Sequence, residues 1–159
     1  MAEGDSPIMR VGVVSDTHGY LSQSLLAELE GSDAIVHAGD ICSRTHLERL
    51  WQIAPVHLCL GNNDWSYQYG PEVKQFVQFT LGGLRWQVCH YRERLDLPVC
   101  DVAVCGHTHR PFIETTSYGT IVMNPGSPTF PRTQMGPTCG RVLLQDGKVV
   151  SAEIVELQE

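Results

Sequence analysis

Three short apolar runs, separated by two segments with helical spacing, follow the first few residues of the chain. The runs at residues 9–15, 34–38 and 56–60 have the length and composition of buried strands. Between them, residues 22–30 and 45–53 place apolar side chains at helical spacing. Strands that alternate with helices in this way predict parallel strands joined by right-handed crossovers.

The chain changes character after Asp64, where strand pairs joined by short turns replace the helices. Turn signals occur at Gly82-Gly83, Tyr118-Gly119 and Asp146-Gly147. The flanking strands are predicted over residues 76–81 and 84–89, 112–116 and 120–123, and 141–144 and 149–154, with one more strand over 102–105. The second half is therefore predicted to be mostly antiparallel.

The length of 159 residues suits one domain, and a hydrophobic content of 42% is enough to form a buried core. We therefore predict a single α/β domain over residues 1–159, with mixed sheets and a loose N-terminal tail at residues 1–8. Lys and Arg number 11 against 18 Asp and Glu, so the formal charge is -7. This excess of negative charge argues against a broad nucleic-acid surface and against attraction to an anionic membrane.

Two further features bear on the compartment. No apolar run approaches the ~20 residues of a membrane span, and the first residues are acidic rather than signal-like, so we expect a cytoplasmic protein. The six cysteines form no Cys-x2-Cys pair and lie mostly in apolar runs, which is typical of reduced thiols in a core. A structural zinc site built from Cys100, Cys105, His107 and His109 is disfavoured because it lacks such a half-site.

The predicted strands end on side chains that commonly bind metals. Ligands in α/β sheets bind outside the carboxyl ends of the strands, so these residues are expected to converge in space. In an extended segment, residues two apart share a face, which lets each closely spaced pair point at one site. Seven such ligands, one of them a bridging carboxylate, match two metals with about four protein ligands each. The seven are Asp16, His18, Asp40, Asn62, His90, His107 and His109.

This series resembles the calcineurin-like metallophosphoesterase superfamily. The small size of the chain, together with Asn124-Pro125-Gly126-Ser127 and the following Pro131-Arg132, is similar to its YfcE-like phosphodiesterase branch. The resemblance extends from about residue 9 to residue 155. It implies two mixed β-sheets packed face to face and flanked by helices, a four-layer αββα fold, with a dinuclear site at one edge.

The resemblance also implies roles for individual residues. One metal would be held by Asp16, His18, Asp40 and His109, and the second by Asp40, Asn62, His90 and His107, with Asp40 as the bridge. The donor set suits Mn, Fe, Ni or Zn, with Mn taken as the first expectation. Asp40, Asn62 and His90 would be the catalytic core of a phosphodiesterase, in which a hydroxide that bridges the metals attacks the phosphorus.

The chain departs from the family pattern in the residues around the metals. Asn63 stands where many members carry a general-acid His, and an amide cannot donate a proton near pH 7. The segment between His90 and Gly106 is short, which leaves the substrate size open. Asn63, Arg92, Arg110 and Arg132 are the predicted substrate contacts. For the three arginines, the reason is that guanidinium geometry matches phosphate. Asp64 is expected to be a structural partner of its loop.

Other functions are compatible with the same motifs. A non-catalytic protein-interaction scaffold is one alternative, because the retromer scaffold subunit resembles these enzymes. A phosphomonoesterase or nucleotidase is another, since it would differ only in substrate. The expected partner is a small phosphodiester, and exposed antiparallel edges make a homodimer a reasonable expectation.

Overall fold

Ten strands and two α-helices make up most of the regular structure in a computed structural model, which describes residues 6–158. The strands are β1 (Met9–Val14), β2 (Ala34–His37), β3 (Val56–Leu58), β4 (Phe76–Leu81), β5 (Leu84–Cys89), β6 (Val102–Val104), β7 (Phe112–Thr115), β8 (Ile121–Asn124), β9 (Thr138–Gln145) and β10 (Lys148–Glu156). The helices are α1 (Gln23–Leu29) and α2 (Arg44–Trp51), and short 3-10 helices cover Ser66–Gln68, Arg92–Arg94 and Leu97–Val99.

The first sheet has the strand order β10-β9-β1-β2-β3. Strands β1, β2 and β3 are parallel, and β9 and β10 add to this core in antiparallel pairing. The predicted strand–helix opening is therefore confirmed. Each helix begins at a serine whose hydroxyl accepts a backbone hydrogen bond of 3.2 Å, from Leu25 to Ser22 and from His46 to Ser43.

The second sheet has the order β4-β5-β6-β8-β7. The predicted hairpins β4–β5, β7–β8 and β9–β10 are confirmed as antiparallel pairs. The prediction of a mostly antiparallel second half was wrong for the centre of this sheet, where β5, β6 and β8 are parallel. Two 3-10 helices between β5 and β6 return the chain to the other end of the sheet without an α-helix, so the sequence lacks the usual crossover signal.

The two sheets pack face to face around an apolar core. Val13 and Val142 of the first sheet and Trp86, Val104 and Met123 of the second are buried in this layer. Burial of side chains of this size contributes about 1.5–3 kcal/mol each, so this interface is a main source of stability. This packing also brings the carboxyl ends of the parallel strands in the two sheets close together.

The outer faces of the two sheets are covered differently. Leu25 and Leu29 of α1, with Leu47 and Leu50 of α2, pack on the first sheet. Ala103 and Val122 of the second sheet are instead covered by the segment that holds Leu95 and Leu97. The fold is thus the expected pair of stacked mixed sheets, with both described α-helices on one side and 3-10 segments on the other.

Several smaller predictions concern the tail, the cysteines and the membrane. Residues 1–5 of the predicted tail lie outside the described residues, and residues 6–8 form no helix or strand. All six cysteines are free and five of them are buried, as predicted. No helix in residues 6–158 combines the length and apolar character needed to cross a membrane.

Candidate metal centre

The loops after β1 and β2 are bonded side by side at the carboxyl end of the first sheet. The amide of Asp16 donates to the carbonyl of Gly39 and the amide of His18 to the carbonyl of Asp40, each at 2.9 Å. The loop after β6 joins them from the second sheet, because the amide of His107 donates to Asp16 Oδ2 at 3.0 Å. The carboxyl ends of both sheets therefore meet at one site, as the sequence predicts.

Left-handed backbone, rather than extended backbone, aims the side chains of this site. Asp16, His18, Asp40, His107 and His109 have φ between 50° and 74°. Residues other than glycine rarely adopt such angles, and they concentrate where function demands them. The prediction that each closely spaced pair shares one face of an extended segment was therefore wrong. A tight turn at each of these ligands, and not an extended backbone, orients its side chain.

Asp16 lies at the centre of the site. Its buried Oδ1 is 3.6 Å from His18 Nε2, 3.7 Å from His90 Nε2 and 3.4 Å from His109 Nε2. Asp40 Oδ2 lies 3.4 Å from His90 Nε2 and 3.7 Å from His18 Nε2. Five of the seven predicted ligands thus direct their free atoms into a shared space.

Hydrogen bonds set the orientation of two of these imidazoles. His90 Nδ1 donates to the carbonyl of Ala38, and His109 Nδ1 donates to the carbonyl of Phe130, each at 2.7 Å. In the neutral ring the proton therefore lies on Nδ1, which leaves an unprotonated lone pair on Nε2. This is the arrangement of a metal-binding histidine whose second nitrogen is held by a backbone carbonyl.

The free atoms of the site have no hydrogen-bond partner. Asp16 Oδ1, His18 Nε2 and His90 Nε2 are buried and unpaired. The Nε2 atoms of His90 and His109 lie 3.4–3.7 Å from carboxylate oxygens of Asp16 and Asp40. With the ring proton on Nδ1, these nitrogens have no proton to donate to the carboxylates. A divalent cation supplies what is missing, so the donor set fits a metal. Two overlapping groups have ligand atoms within 4.8 Å of one another: Asp16, His18 and His109, and Asp16, Asp40 and His90.

The remaining two predicted ligands occupy the wall of the site. Asn62 and His107 are exposed and line the cavity above the central carboxylates. The ring of His107 lies edge-on to His90 with 5.1 Å between centroids. His107 belongs to neither of the two close groups of His, Cys, Asp and Glu side chains, in which Asp16 is the shared member. The bridging role of Asp40 stays a prediction.

The charges of the site favour a cation. Burial raises the pKa of Asp40, but the His90 ring 3.4 Å away and the hydrogen bonds from Asn63 outweigh this effect and lower the pKa to about 2. Burial lowers the pKa of His90, yet the nearby carboxylates of Asp40 and Asp16 leave it raised above its ordinary value. The Asp40 carboxylate is therefore ionised at neutral pH and attracts positive charge, whether a proton or a metal ion.

Asp64 holds two ligand loops together and has the structural role predicted for it. Its Oδ2 accepts from the amides of Asp40 at 2.7 Å and Gly61 at 2.8 Å. Its Oδ1 accepts from the amide of Cys42 at 2.9 Å and from the hydroxyl of Tyr69 at 3.1 Å. With four donors on one carboxylate, Asp64 has no free oxygen to offer a metal.

Glycines of the motifs allow the ligand loops to approach closely. A Cβ at Gly61 would lie 2.2 Å from Asp40 Oδ1, and a Cβ at Gly106 would lie 2.0 Å from Ser15 Oγ. Side chains larger than hydrogen therefore displace the carboxylates. The sequence shows these glycines, but only the packing shows which carboxylate each one accommodates.

The Asn-Pro-Gly-Ser turn braces the same loops, a role that the sequence analysis missed. Ser127 Oγ donates to the carbonyl of Asp16 at 2.8 Å. Asn124 Nδ2 donates to the carbonyl of Gly106 at 3.1 Å. The turn was visible in the sequence as a resemblance, but its contacts join residues up to 111 positions apart. Nothing local predicts such contacts.

A cavity of about 890 Å³ opens above the central carboxylates. Three of the four predicted substrate contacts, Asn63, Arg110 and Arg132, line it. Asn63 is also bonded to Asp40, with its side-chain amide 3.1 Å from Asp40 Oδ2 and its backbone amide 2.8 Å from Oδ1. Asn63 therefore positions a ligand as well as facing the cavity.

The fourth predicted contact, Arg92, lies elsewhere. Its guanidinium forms an ion pair with Glu114 and lies 6.0 Å from the centre of the Phe112 ring. It does not line the cavity above the carboxylates. Glu114, the partner of Arg92, lies in β7 and comes 22 residues after it in the chain. The pairing therefore has no local signature in the sequence.

Comparisons with known proteins agree with this geometry. Residues 9–147 match the family described as the calcineurin-like phosphoesterase superfamily domain. A probable metallophosphoesterase of Methanocaldococcus jannaschii is 34% identical over 136 residues, which cover 78% of this chain and 70% of that protein. A phosphodiesterase of the same organism is 26% identical over 139 residues, which cover 74% of this chain and 83% of that protein. The chain belongs to the calcineurin-like phosphoesterase superfamily.

A solved structure shares the whole fold. Vacuolar protein sorting 29 of Cryptosporidium parvum superposes with a TM-score of 0.72 at 20% identity, and the match covers 96% of this chain and 99% of that one. At this identity the similarity concerns the fold alone. The stacked mixed sheets that the family resemblance implies are therefore confirmed.

Proposed function

We propose that this protein is a cytoplasmic phosphodiesterase that hydrolyses a small phosphodiester with two divalent metal ions, manganese being the first expectation. The observation that carries this proposal is the set of buried, unpaired ligand atoms on Asp16, His18 and His90. A buried polar atom without a partner destabilises a protein by about 1–3 kcal/mol, and a metal ion bound by these atoms would remove that penalty. The names of the relatives as metallophosphoesterases and a phosphodiesterase support the same reaction class.

The residues of the chain have distinct tasks in this proposal. Asp16, His18 and His109 would hold one ion, and Asp40, Asn62, His90 and His107 the second, with Asp40 contributing to both. Two bound ions would neutralise phosphate charge and lower the pKa of a coordinated water.

The hydrogen bonds around the ligands keep them ready to bind. His90 and His109 are kept with Nε2 free by their carbonyl partners, and Asn63 holds both oxygens of Asp40. The ligands therefore need little rearrangement when ions bind, which is the usual work of partners behind a metal site.

The leaving group must depart without help from Asn63. An amide cannot donate a proton near pH 7, and the side chain of Asn63 is already bonded to Asp40. We therefore expect the protein to favour diesters whose leaving group is a weak base, such as an aryl oxide. Protonation by solvent would suffice for such a group.

The proposal is tested by metal content and a substrate pair. Protein loaded with Mn²⁺ is expected to contain two ions per chain by mass spectrometry of the metals. It should hydrolyse bis(p-nitrophenyl) phosphate faster than p-nitrophenyl phosphate, and lose activity with EDTA. Asp40→Asn is expected to lower the rate by more than roughly 100-fold, because it removes a charged ligand.

The matched control is Asp146→Asn, which removes one carboxylate from an exposed hairpin turn and should keep full activity. Equal activity of the Asp40→Asn and parent proteins would overturn the proposal. So would hydrolysis by fully chelated protein. A protein that binds two ions but hydrolyses neither ester would instead support the scaffold alternative.

A further inference from the structure

Two arginines lie in the chain next to backbone that carries or contacts His109. Arg110 directly follows His109 in the chain. Arg132 comes two residues after Phe130, whose carbonyl accepts the hydrogen bond from His109 Nδ1 at 2.7 Å. The amide of Phe130 in turn donates to Ser127 Oγ at 2.9 Å. Both arginines therefore start from backbone that is held firmly at the metal centre, and both line the cavity above it.

Neither of these guanidinium groups has a partner within residues 6–158. No hydrogen bond or ion pair involves the side chain of Arg110 or Arg132 in the part of the chain that the structure describes. Most other arginines are paired with carboxylates, namely Arg10, Arg44, Arg85, Arg92 and Arg141. In a protein with a formal charge of -7, two uncompensated cations on one cavity mark a place for an anion.

The charge of a simple diester is too small to account for both arginines. A phosphodiester carries one negative charge, and the four positive charges of two divalent ions already exceed the two carboxylate charges of Asp16 and Asp40. The guanidinium groups are therefore in excess of what the reacting phosphate requires. Their planar, forked donors match a terminal phosphate, which carries about two negative charges and offers three oxygens.

We propose that Arg110 and Arg132 bind a second phosphoryl group of the substrate, so that the preferred substrate is a phosphodiester with an additional terminal phosphate. The exposed ring of Phe130, in edge contact with His18 at 5.5 Å, offers an apolar surface for the part of the substrate that links the two phosphates. This inference rests on the proposed phosphodiesterase activity and names its substrate class.

The test compares two chromogenic esters that differ by one phosphate. The p-nitrophenyl ester of thymidine 5′-phosphate is assayed with and without a 3′-phosphate, with Mn²⁺ present. The protein is expected to show a kcat/KM at least ten-fold higher for the ester with the 3′-phosphate. In Arg110→Gln/Arg132→Gln this ratio should fall to about one. Arg85→Gln, which loses an arginine bonded to Asp101 at the other end of β5, should keep the ratio of the parent.

A binding measurement separates this inference from the proposed function. Calorimetry on chelated protein compares thymidine 3′,5′-diphosphate with thymidine 5′-phosphate, without any reaction. Tighter binding of the diphosphate, lost in Arg110→Gln/Arg132→Gln, supports the arginine site even if neither ester is hydrolysed. Equal binding of the two nucleotides, or a preference that survives the double substitution, overturns it even if the protein proves to be a phosphodiesterase.

Discussion

Replacing Gly106 by alanine probes how tightly the metal centre is packed. The backbone of Gly106 lies outside the left-handed region, so an alanine is not excluded by φ. Its Cβ would nevertheless lie 2.0 Å from Ser15 Oγ and 2.7 Å from Asp16 Oδ2, against 3.4 Å where ordinary contact begins. Ser15 must therefore move by about 1.4 Å or Asp16 must turn away.

The expected consequence is weaker metal binding. Metal–ligand distances tolerate changes of only about 0.2 Å, and displacement of groups that position ligands typically costs about 10–100-fold in affinity. We therefore expect Gly106→Ala to weaken Mn²⁺ binding by about 10–100-fold, measured by titration calorimetry on protein stripped with a chelator. Urea unfolding in EDTA checks that the variant is folded.

Ser15 supplies the matched controls. Ser15→Ala removes the 2.6 Å hydrogen bond to Asp16 Oδ2 without adding bulk, and should weaken Mn²⁺ binding by only a few-fold. Ser15→Ala/Gly106→Ala removes the nearest clashing atom and should recover part of the affinity, a non-additivity expected of residues in contact. Unchanged affinity in Gly106→Ala, or additive effects in the double variant, would refute the packing argument.

Three further predictions concern stability. Burial lowers the pKa of His37 from 6.5 to about 4. As the pH falls, the His37 imidazole is therefore protonated in the unfolded chain before it is protonated in the folded protein. The free energy of unfolding should therefore drop by about 3 kcal/mol between pH 6.5 and pH 4, and His37→Gln should lose this component in urea titrations of chelated protein. Asp64→Asn replaces a carboxylate that accepts four hydrogen bonds. It should lower the free energy of unfolding by about 2 kcal/mol and also weaken Mn²⁺ binding. Wild-type values for both measurements would contradict the bracing role of Asp64. Glu28 is a partly buried carboxylate that is shared by Arg10 and Arg141. Glu28→Gln should therefore lower the free energy of unfolding by about 1 kcal/mol at low salt and by less in 1 M NaCl. A difference in urea midpoint that does not change with salt would argue against an ionic contribution.

Local pattern explains why so much of the fold was predictable. Hairpins at Gly82-Gly83 and Asp146-Gly147 depend on adjacent residues with positive φ, which these residue pairs readily adopt. Helix starts at Ser22 and Ser43 depend on a serine three positions before the amide that it caps. The parallel pairing of β5, β6 and β8 has no such local signature, because it depends on how the chain crosses over between strands distant in sequence.

The candidate site divides in the same way. The residue types at the strand ends can be read from the amino-acid sequence, because the ligand chemistry of Asp16, His18 and His90 is a property of the side chains. Which of their atoms are free to bind depends on how distant segments pack. The carbonyl that fixes the tautomer of His90 belongs to Ala38, 52 positions away, and the carboxylate that holds Arg92 outside the cavity belongs to Glu114 of β7. Hydrogen bonds and ion pairs between distant segments form only once the sheets have packed, so no local pattern encodes them.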